Sequence, residues 1–137
     1  MNSDIKDIGL AAEGKKRIEW AELDMPVLAA AKTKFQKDQP FQDLKMSLCM
    51  HVTAETANLA KTLKAGGADV LLCASNHLST QDDVAASLVQ DYGIAVFAKR
   101  GENRETFFTH FRLAIEHRPK ITMDDGADLI STIHNEY

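Results

Sequence analysis

The sequence is poor in cysteine and has neither a concentrated positive charge nor a long apolar run. Only Cys49 and Cys73 occur among the 137 residues, too few and too far apart for a zinc framework. Lys and Arg number 16 against 20 Asp and Glu, which gives a net charge of −4. The basic residues are scattered, whereas nucleic-acid binding needs a clustered basic face, so no nucleic-acid partner is expected.

Membrane and export signals are missing as well. No segment approaches the roughly 18 consecutive apolar residues of a membrane-spanning helix, so no membrane partner is expected. The first residues, Met1 to Lys6, lack the apolar core of a secretion signal. We therefore expect a cytoplasmic protein, in which both cysteines are reduced and buried in strands.

The residues that are present describe an ordinary globular domain. Hydrophobic residues make up 45% of the chain and charged residues 26%, and the length suits one domain over residues 1–137. The spacing of apolar residues predicts helices over 8–23 and from Pro26 to about Phe35. These helices precede a different pattern that begins after residue 44.

From there, short apolar runs alternate with amphipathic stretches. The runs predict strands over 46–50, 69–74, 94–98 and 121–123, separated and followed by helices. Thr53, Thr80 and Asn103 are predicted helix N-caps, and Gly93 is predicted to end one helix. In another helix Phe107, Phe108, Phe111 and Ile115 are predicted to face inward. The order predicts an α/β fold, a three-layer, doubly wound, mostly parallel sheet of Rossmann-like or flavodoxin-like type, preceded by N-terminal helices.

This fold also predicts where a ligand would bind. Open parallel sheets bind ligands outside the carboxyl ends of their strands, which here are the segments 50–56, 75–81, 99–103 and 124–128. Three of these segments are rich in polar side chains, namely His51, Thr53, Glu55, Thr56, Ser75, Asn76, His77, Ser79, Thr80, Gln81, Asp124, Asp125 and Asp128. Histidine exchanges a proton near neutral pH, and an amide both donates and accepts hydrogen bonds.

Purely structural interpretations remain open for several of these residues. Thr53 and Thr80 could serve only as helix caps, and Glu55 would be favoured in a first helical turn without any ligand. The segment 124–126 is also a common turn signal. The pattern alone thus predicts a small-molecule site without fixing its ligand.

Several motifs resemble those of the S-adenosylhomocysteine hydrolase family. The segment 49–57, Cys-Met-His-Val-Thr-Ala-Glu-Thr-Ala, resembles that family's Cys-Leu-His-hydrophobic-Thr-x-Glu-Thr-Ala pattern, with Met50 at the usual Leu. The segments 7–15, 19–28, 79–82 and 124–129 also resemble family motifs in register. The resemblance covers nearly the whole chain and identifies it as the substrate-binding portion of such an enzyme.

The resemblance implies a role for particular residues. Thr53, Glu55 and Gln81 match positions that bind the adenosine part, with Glu55 and Gln81 at the adenine. His51 matches a histidine that handles protons near the 5′ carbon, and Asp125 matches an aspartate at the same centre. Asn76 lies close to these positions in sequence and is also assigned to the site.

The resemblance further implies a cofactor that this sequence lacks the means to hold. Family members use NAD to oxidise the 3′ hydroxyl before homocysteine leaves and water adds. The chain has no Gly-x-Gly-x-x-Gly fingerprint, and the family's NAD-binding domain and its later Glu-Glu-Thr-Thr-Thr-Gly motif are absent from it. We therefore expect no NAD binding and no turnover by the chain alone.

Three hypotheses follow for the chain. It could be a substrate-domain fragment or part of a split enzyme that works with an NAD-domain polypeptide, it could bind adenosine-like ligands without catalysis, or it could be a truncated protein that forms homo-oligomers. One departure from the family pattern bears on its backbone: Ala127 stands where the family usually has a second Gly. If that position needs a positive φ, alanine would cost about 1 kcal/mol or more.

Overall fold

The computed structural model describes residues 2–137 as a single sheet with helices on both faces. The helices are α1 (Ala11–Glu22), α2 (Pro26–Asp38), α3 (Ala54–Ala65), α4 (Asp82–Gln90), α5 (Arg104–Glu116) and α6 (Asp128–Glu136). The strands are β1 (Lys45–Met50), β2 (Asp69–Ala74), β3 (Ala95–Phe97) and β4 (Ile121–Asp124). None of the helices within residues 2–137 has the length and apolar character needed to cross a membrane.

All four strands run parallel, in the order β3-β2-β1-β4. β1 pairs with β2 from Lys45 opposite Asp69 onward, and with β4 from Met46 opposite Ile121 onward. The chain moves from β1 through β2 to β3 and then returns to the other side of β1. This reversal creates a topological switch point between β1 and β4, and it confirms the predicted α/β fold.

The strands alternate their side chains between two hydrophobic clusters. On one face Leu48 and Leu72 pack with Ile18 of α1 and with apolar residues of α3 and α4. On the other face Cys49 and Cys73 pack with residues of α5 and α6. Both cysteines are free and fully buried, as predicted. The neighbouring Cys73 thiol and burial both raise the pKa of Cys49, which makes it a poor nucleophile.

Helix α1 belongs to the same packed unit because it lies directly on α4. Gly14 faces α4 so closely that a Cβ there would lie 1.8 Å from the backbone oxygen of Asp83. The contact is strengthened by Arg17, whose Nε donates a 2.8 Å hydrogen bond to Asp83 Oδ2. The N-terminal helices therefore pack against the sheet's own helical layer.

The predicted helix caps were partly right. Thr53 and Asn103 are N-caps whose side chains accept hydrogen bonds from Thr56 N and Thr106 N. The prediction for Thr80 was wrong, because α4 begins at Asp82 and Gln81 occupies the N-cap position. Thr80 lies one residue before this N-cap. It is buried, and its hydroxyl has no hydrogen-bond partner among residues 2–137.

Two further predictions about helices need correction. Helix α4 ends at Gln90 rather than at Gly93, which lies in the following turn with a φ of +60°. In α5, Phe111 is fully buried as predicted, but Phe108 is 37% exposed. Phe108 packs edge-on against Phe111 with ring centroids 5.7 Å apart, so the apolar stripe of α5 extends to the surface.

Candidate active site

The first residues after β1 and β4 face each other across the switch point. His51 Nε2 lies 3.9 Å from Asp125 Oδ2, and their side chains are 51% and 34% exposed. This distance is too long for a direct hydrogen bond, but it allows attraction when the imidazole is protonated. The fold thus brings together the two residues predicted to handle protons and leaves both accessible.

The other nitrogen of this imidazole is held by a serine that the sequence analysis did not single out. His51 Nδ1 and Ser79 Oγ share a 2.7 Å hydrogen bond. Ser79 Oγ also donates to the Asn76 backbone oxygen at 3.2 Å. The Asn76 side chain accepts from Leu78 N at 2.8 Å, so it supports the loop that carries Ser79.

Gln81 connects this loop to the turn between β1 and α3. Its Oε1 accepts from Ala54 N at 3.1 Å, and its backbone N donates to Val52 O at 2.9 Å. One lone pair of the Gln81 amide oxygen is therefore engaged, and the Nε2 protons are available to donate to a ligand. Thr53 Oγ1 similarly accepts from Thr56 N at 3.5 Å, and its hydroxyl proton is available to donate.

Glu55 lies at the mouth of a groove between α2 and α3. The groove has a volume of about 620 Å³. Its lining is mostly apolar and consists of Asp24, Met25, Pro26, Val27, Leu28, Ala31, Met50, Glu55, Thr56 and Leu59. An exposed carboxylate beside such a wall suits a flat apolar ring that carries a hydrogen-bond donor.

The two neighbouring aspartates after β4 have different roles. Asp124 accepts from Gly126 N at 3.2 Å and from Ile130 N at 3.0 Å, so it fixes the turn that starts α6. Asp125 is held through its backbone N, which donates to Cys49 O at 3.3 Å, and its carboxylate faces His51. Ala127 in the same turn has a φ of +62°, a left-handed conformation that glycine would adopt more easily.

The charges at this edge of the sheet are mostly negative. Each helix that begins there carries an acid in its first turn, namely Glu55 in α3, Asp82 and Asp83 in α4, Glu105 in α5 and Asp128 in α6. These carboxylates occupy the positive ends of the helix dipoles, where an anionic ligand would otherwise bind. The edge therefore favours a ligand that is neutral or positively charged.

A second polar cluster joins the β3–α5 loop to the N-terminal segment. His110 lies between two carboxylates, with Nε2 3.0 Å from Asp4 Oδ2 and Nδ1 2.9 Å from Glu102 Oε2. Lys99 pairs with the other oxygen of Asp4. The β3–α5 loop also contacts the β2–α4 loop, because Gly101 N donates to His77 O at 2.7 Å. Segment 99–103 thus supports the site from outside.

Comparison with known proteins identifies relatives of the chain. The family model for S-adenosyl-L-homocysteine hydrolase matches residues 2–137. The chain is 61% identical to adenosylhomocysteinase from Aquifex aeolicus over all of its length, and 55% identical to that from Thermosynechococcus vestitus over 97% of it. Adenosylhomocysteinase from Sulfurisphaera tokodaii is 51% identical over 98% of the chain.

These matches cover only part of the relatives. The chain spans 33% of the Aquifex aeolicus protein and 31% of the Thermosynechococcus vestitus protein. Within this third, the similarity is continuous and includes both segments that meet at the switch point. The chain therefore belongs to the S-adenosyl-L-homocysteine hydrolase family.

Proposed function

We propose that the chain is the substrate-binding part of an adenosylhomocysteinase, which reversibly hydrolyses S-adenosyl-L-homocysteine to adenosine and L-homocysteine in one-carbon metabolism. The observation that carries this proposal is the pairing of His51 with Asp125 at the switch point, beside an apolar groove that opens next to Glu55. Acid–base groups and a base-binding surface thus share one edge of the sheet, as a nucleoside thioether requires.

The purine would bind at the groove. Its ring would pack against the apolar wall, which includes Met50 and Leu59, and its exocyclic amine would donate to the Glu55 carboxylate. The Nε2 protons of Gln81 would meet a ring nitrogen, because the Oε1 of this amide is bound to Ala54 N. Thr53 would donate its hydroxyl proton to the adenosine part. This donor and acceptor pattern suits an amino-purine.

The 5′ carbon with its sulfur would lie toward His51 and Asp125. There the imidazole would give a proton to the departing sulfur and take one from the incoming water, since histidine accepts and releases protons near neutral pH. The Asp125 carboxylate, 3.9 Å away, would stabilise the protonated ring between the two transfers. Asn76 supports this centre through the loop that carries Ser79.

The residues of this chain do not fit NAD, the cofactor that the family uses. A pyrophosphate needs close backbone approach at a helix N-terminus, usually over glycine. Here the β1–α3 turn is His51-Val52-Thr53, and every helix that begins at this edge carries an acid in its first turn. We assign the cofactor to an NAD domain outside these residues, whether joined to them or on a separate NAD-domain polypeptide, and we expect residues 1–137 alone to bind ligand without turnover.

The surface near the groove would receive that polypeptide or a second copy of the chain. Trp20, Leu23 and Val27 are 74%, 77% and 83% exposed, although such side chains are usually covered. Light scattering at increasing concentration separates the two cases. A monomer that forms a complex only with a separately produced NAD-binding portion supports the split enzyme, and self-association without it supports the homo-oligomer.

Titration with adenosine, followed by amide NMR, tests the proposal. We expect shifts confined to the amides around Met50, Glu55 and Gln81, and weaker binding of inosine, which carries an oxygen in place of the amine. Glu55→Gln should weaken adenosine binding about 10-fold or more, because a hydrogen bond to a charged group contributes about 1.5–3 kcal/mol. Glu13→Gln, an exposed acid on α1, is the matched control. Equal binding by both variants would contradict the proposal.

A further inference from the structure

We propose that Ser79 is a positioning residue that keeps a proton on His51 Nδ1, so that Nε2 is the nitrogen that exchanges protons at the site. Ser79 lies in the β2–α4 loop, one strand away from the β1 end that carries His51. Its Oγ is 2.7 Å from Nδ1. The relevance of this contact to catalysis rests on the proposed function, but the contact itself is a property of the folded chain.

The direction of this hydrogen bond follows from the number of protons available to it. A serine hydroxyl has one proton to donate and two lone pairs that accept. Two acceptors compete for that proton, the Asn76 backbone oxygen at 3.2 Å and a deprotonated His51 Nδ1. If the hydroxyl donates to Asn76, only Nδ1–H can complete the 2.7 Å contact.

That arrangement forms a continuous chain of donors. Nδ1–H of His51 donates to Ser79 Oγ, and the Ser79 hydroxyl donates to the Asn76 carbonyl. Successive hydrogen bonds of this kind polarise and strengthen one another. The reverse arrangement, in which Ser79 donates to Nδ1, would take the hydroxyl proton away from the Asn76 carbonyl. The donor chain therefore makes one more hydrogen bond than its alternative, in which the Asn76 carbonyl keeps only the 3.4 Å bond from Ser79 N.

The proton on Nδ1 determines the protonation state of Nε2, the nitrogen that faces Asp125. With a proton retained on Nδ1, the neutral ring carries its lone pair on Nε2, which lies 3.9 Å from Asp125 Oδ2. Protonation then takes place at Nε2, next to the carboxylate that stabilises the resulting charge. The same nitrogen can accept a proton and release it, while the contact to Ser79 persists in both states.

The surrounding hydrogen bonds hold the loop in the position that this role needs. The Asn76 side chain accepts from Leu78 N at 2.8 Å, and Gln81 N donates to Val52 O at 2.9 Å on the other side of Ser79. Ser79 thus lies in a short segment fixed at both ends to its own loop and to the turn after β1. The hydrogen bonds on both sides of Ser79 therefore fix the position of its hydroxyl.

Nitrogen-15 NMR of the histidine rings tests the proposal on the chain as it exists. At a pH where His51 is neutral, we expect the proton on Nδ1 in the unmodified protein. In Ser79→Ala we expect loss of this preference. Ser79→Thr keeps the hydroxyl and should restore the Nδ1 proton, whereas Ser131→Ala, an exposed serine on α6, should change nothing.

Backbone amide spectra show whether each variant remains folded. If neutral His51 carries its proton on Nε2 in the unmodified protein, the proposal is wrong. It is equally wrong if Ser79→Ala keeps the proton on Nδ1. The outcome is independent of adenosine binding, so failure of the proposed function and failure of this inference are distinguishable. A variant that binds adenosine normally but has lost the Nδ1 proton would support the positioning role alone.

Discussion

His110 and Glu102 form a buried charged contact in which Nδ1 lies 2.9 Å from Oε2 and the two side chains are 3% and 1% exposed. The two groups lie within hydrogen-bonding distance, and they attract each other when the imidazole is protonated. Burial alone would lower the pKa of His110, but the Glu102 and Asp4 carboxylates outweigh it and raise the pKa. For Asp4, burial alone would raise the pKa, and its bonds to Lys99 and His110 lower it.

These opposite shifts predict a stability optimum in mildly acidic solution. Because the folded pKa of His110 is raised, its contribution is complete below its unfolded value of about 6.5 and is lost as pH rises through the folded pKa. Because the folded pKa of Asp4 is lowered, its contribution is complete above about 3.9 and is lost as pH falls. Urea unfolding from pH 3 to 9 should show the cluster's contribution greatest between about pH 4 and 6.5.

Removing the imidazole should abolish the loss of stability that the unmodified protein shows as pH rises through the folded pKa of His110. His110→Gln leaves the Glu102 carboxylate buried without a positive partner, which costs about 3–5 kcal/mol. The double variant His110→Gln, Glu102→Gln removes the unpaired charge and should recover part of that loss. If His110→Gln unfolds with the same free energy and pH dependence as the unmodified protein, the charged contact does not stabilise the fold.

Gly14→Ala should destabilise the protein strongly. The added Cβ would lie 1.8 Å from the backbone oxygen of Asp83, so α1 and α4 would have to separate. Overpacking of this kind costs about 1–3 kcal/mol, and backbone at the contact leaves little room for relief. Thermal unfolding measures the effect. Gly126→Ala, where the nearest atom is 3.4 Å away, is the control and should have a much smaller effect.

Ala127→Gly should stabilise the protein by about 1 kcal/mol, since alanine at a φ of +62° bears a cost that glycine avoids. The same change in the exposed interior of α2, Ala30→Gly, should have the opposite sign and a similar size because glycine weakens a helix. Urea unfolding of both variants provides the measurement. Destabilisation by Ala127→Gly would show that the turn gains nothing from glycine's backbone freedom.

Thr80→Val should be neutral or stabilising by about 1 kcal/mol. The Thr80 hydroxyl is buried without a hydrogen-bond partner among residues 2–137, and valine has nearly the same shape. Thr62→Val is the matched comparison, because the Thr62 hydroxyl donates a 2.8 Å bond to Asn58 O and its loss should destabilise. A larger loss at Thr80 than at Thr62, measured by thermal unfolding, would contradict this explanation.

The sequence predicted the fold well because β1, β2 and β3 are largely buried. Runs such as Met46 to Met50 are apolar on both faces of the sheet, which gives a strong signal, and parallel pairing then follows from the helices between them. Helix starts were less certain. Thr53 and Thr80 have the same capping chemistry, but only Thr53 precedes its helix directly, a one-residue difference set by how the β2–α4 loop packs.

The candidate site could be predicted in its membership but not in its contacts. The carboxyl ends of all the strands were expected at one edge of the sheet, and the family resemblance assigned His51 and Asp125 to the same centre. Ser79 was missed as a partner of His51, since their contact spans 28 positions and depends on the exact path of a loop. The role of Gln81 Oε1 was also hidden, because only the folded chain shows that its bond to Ala54 N takes up this acceptor.

The bonds that Gln81 and Ser79 make to the turn after β1 have a consequence for motion. Ala54 N is protected by a side chain from another loop, and Gln81 N is protected by a carbonyl of that same turn. Neither amide can be released to solvent unless the two loops part. The loops should therefore open as one cooperative unit, with hydrogen exchange of the Ala54 and Gln81 amides reporting the same free energy of opening.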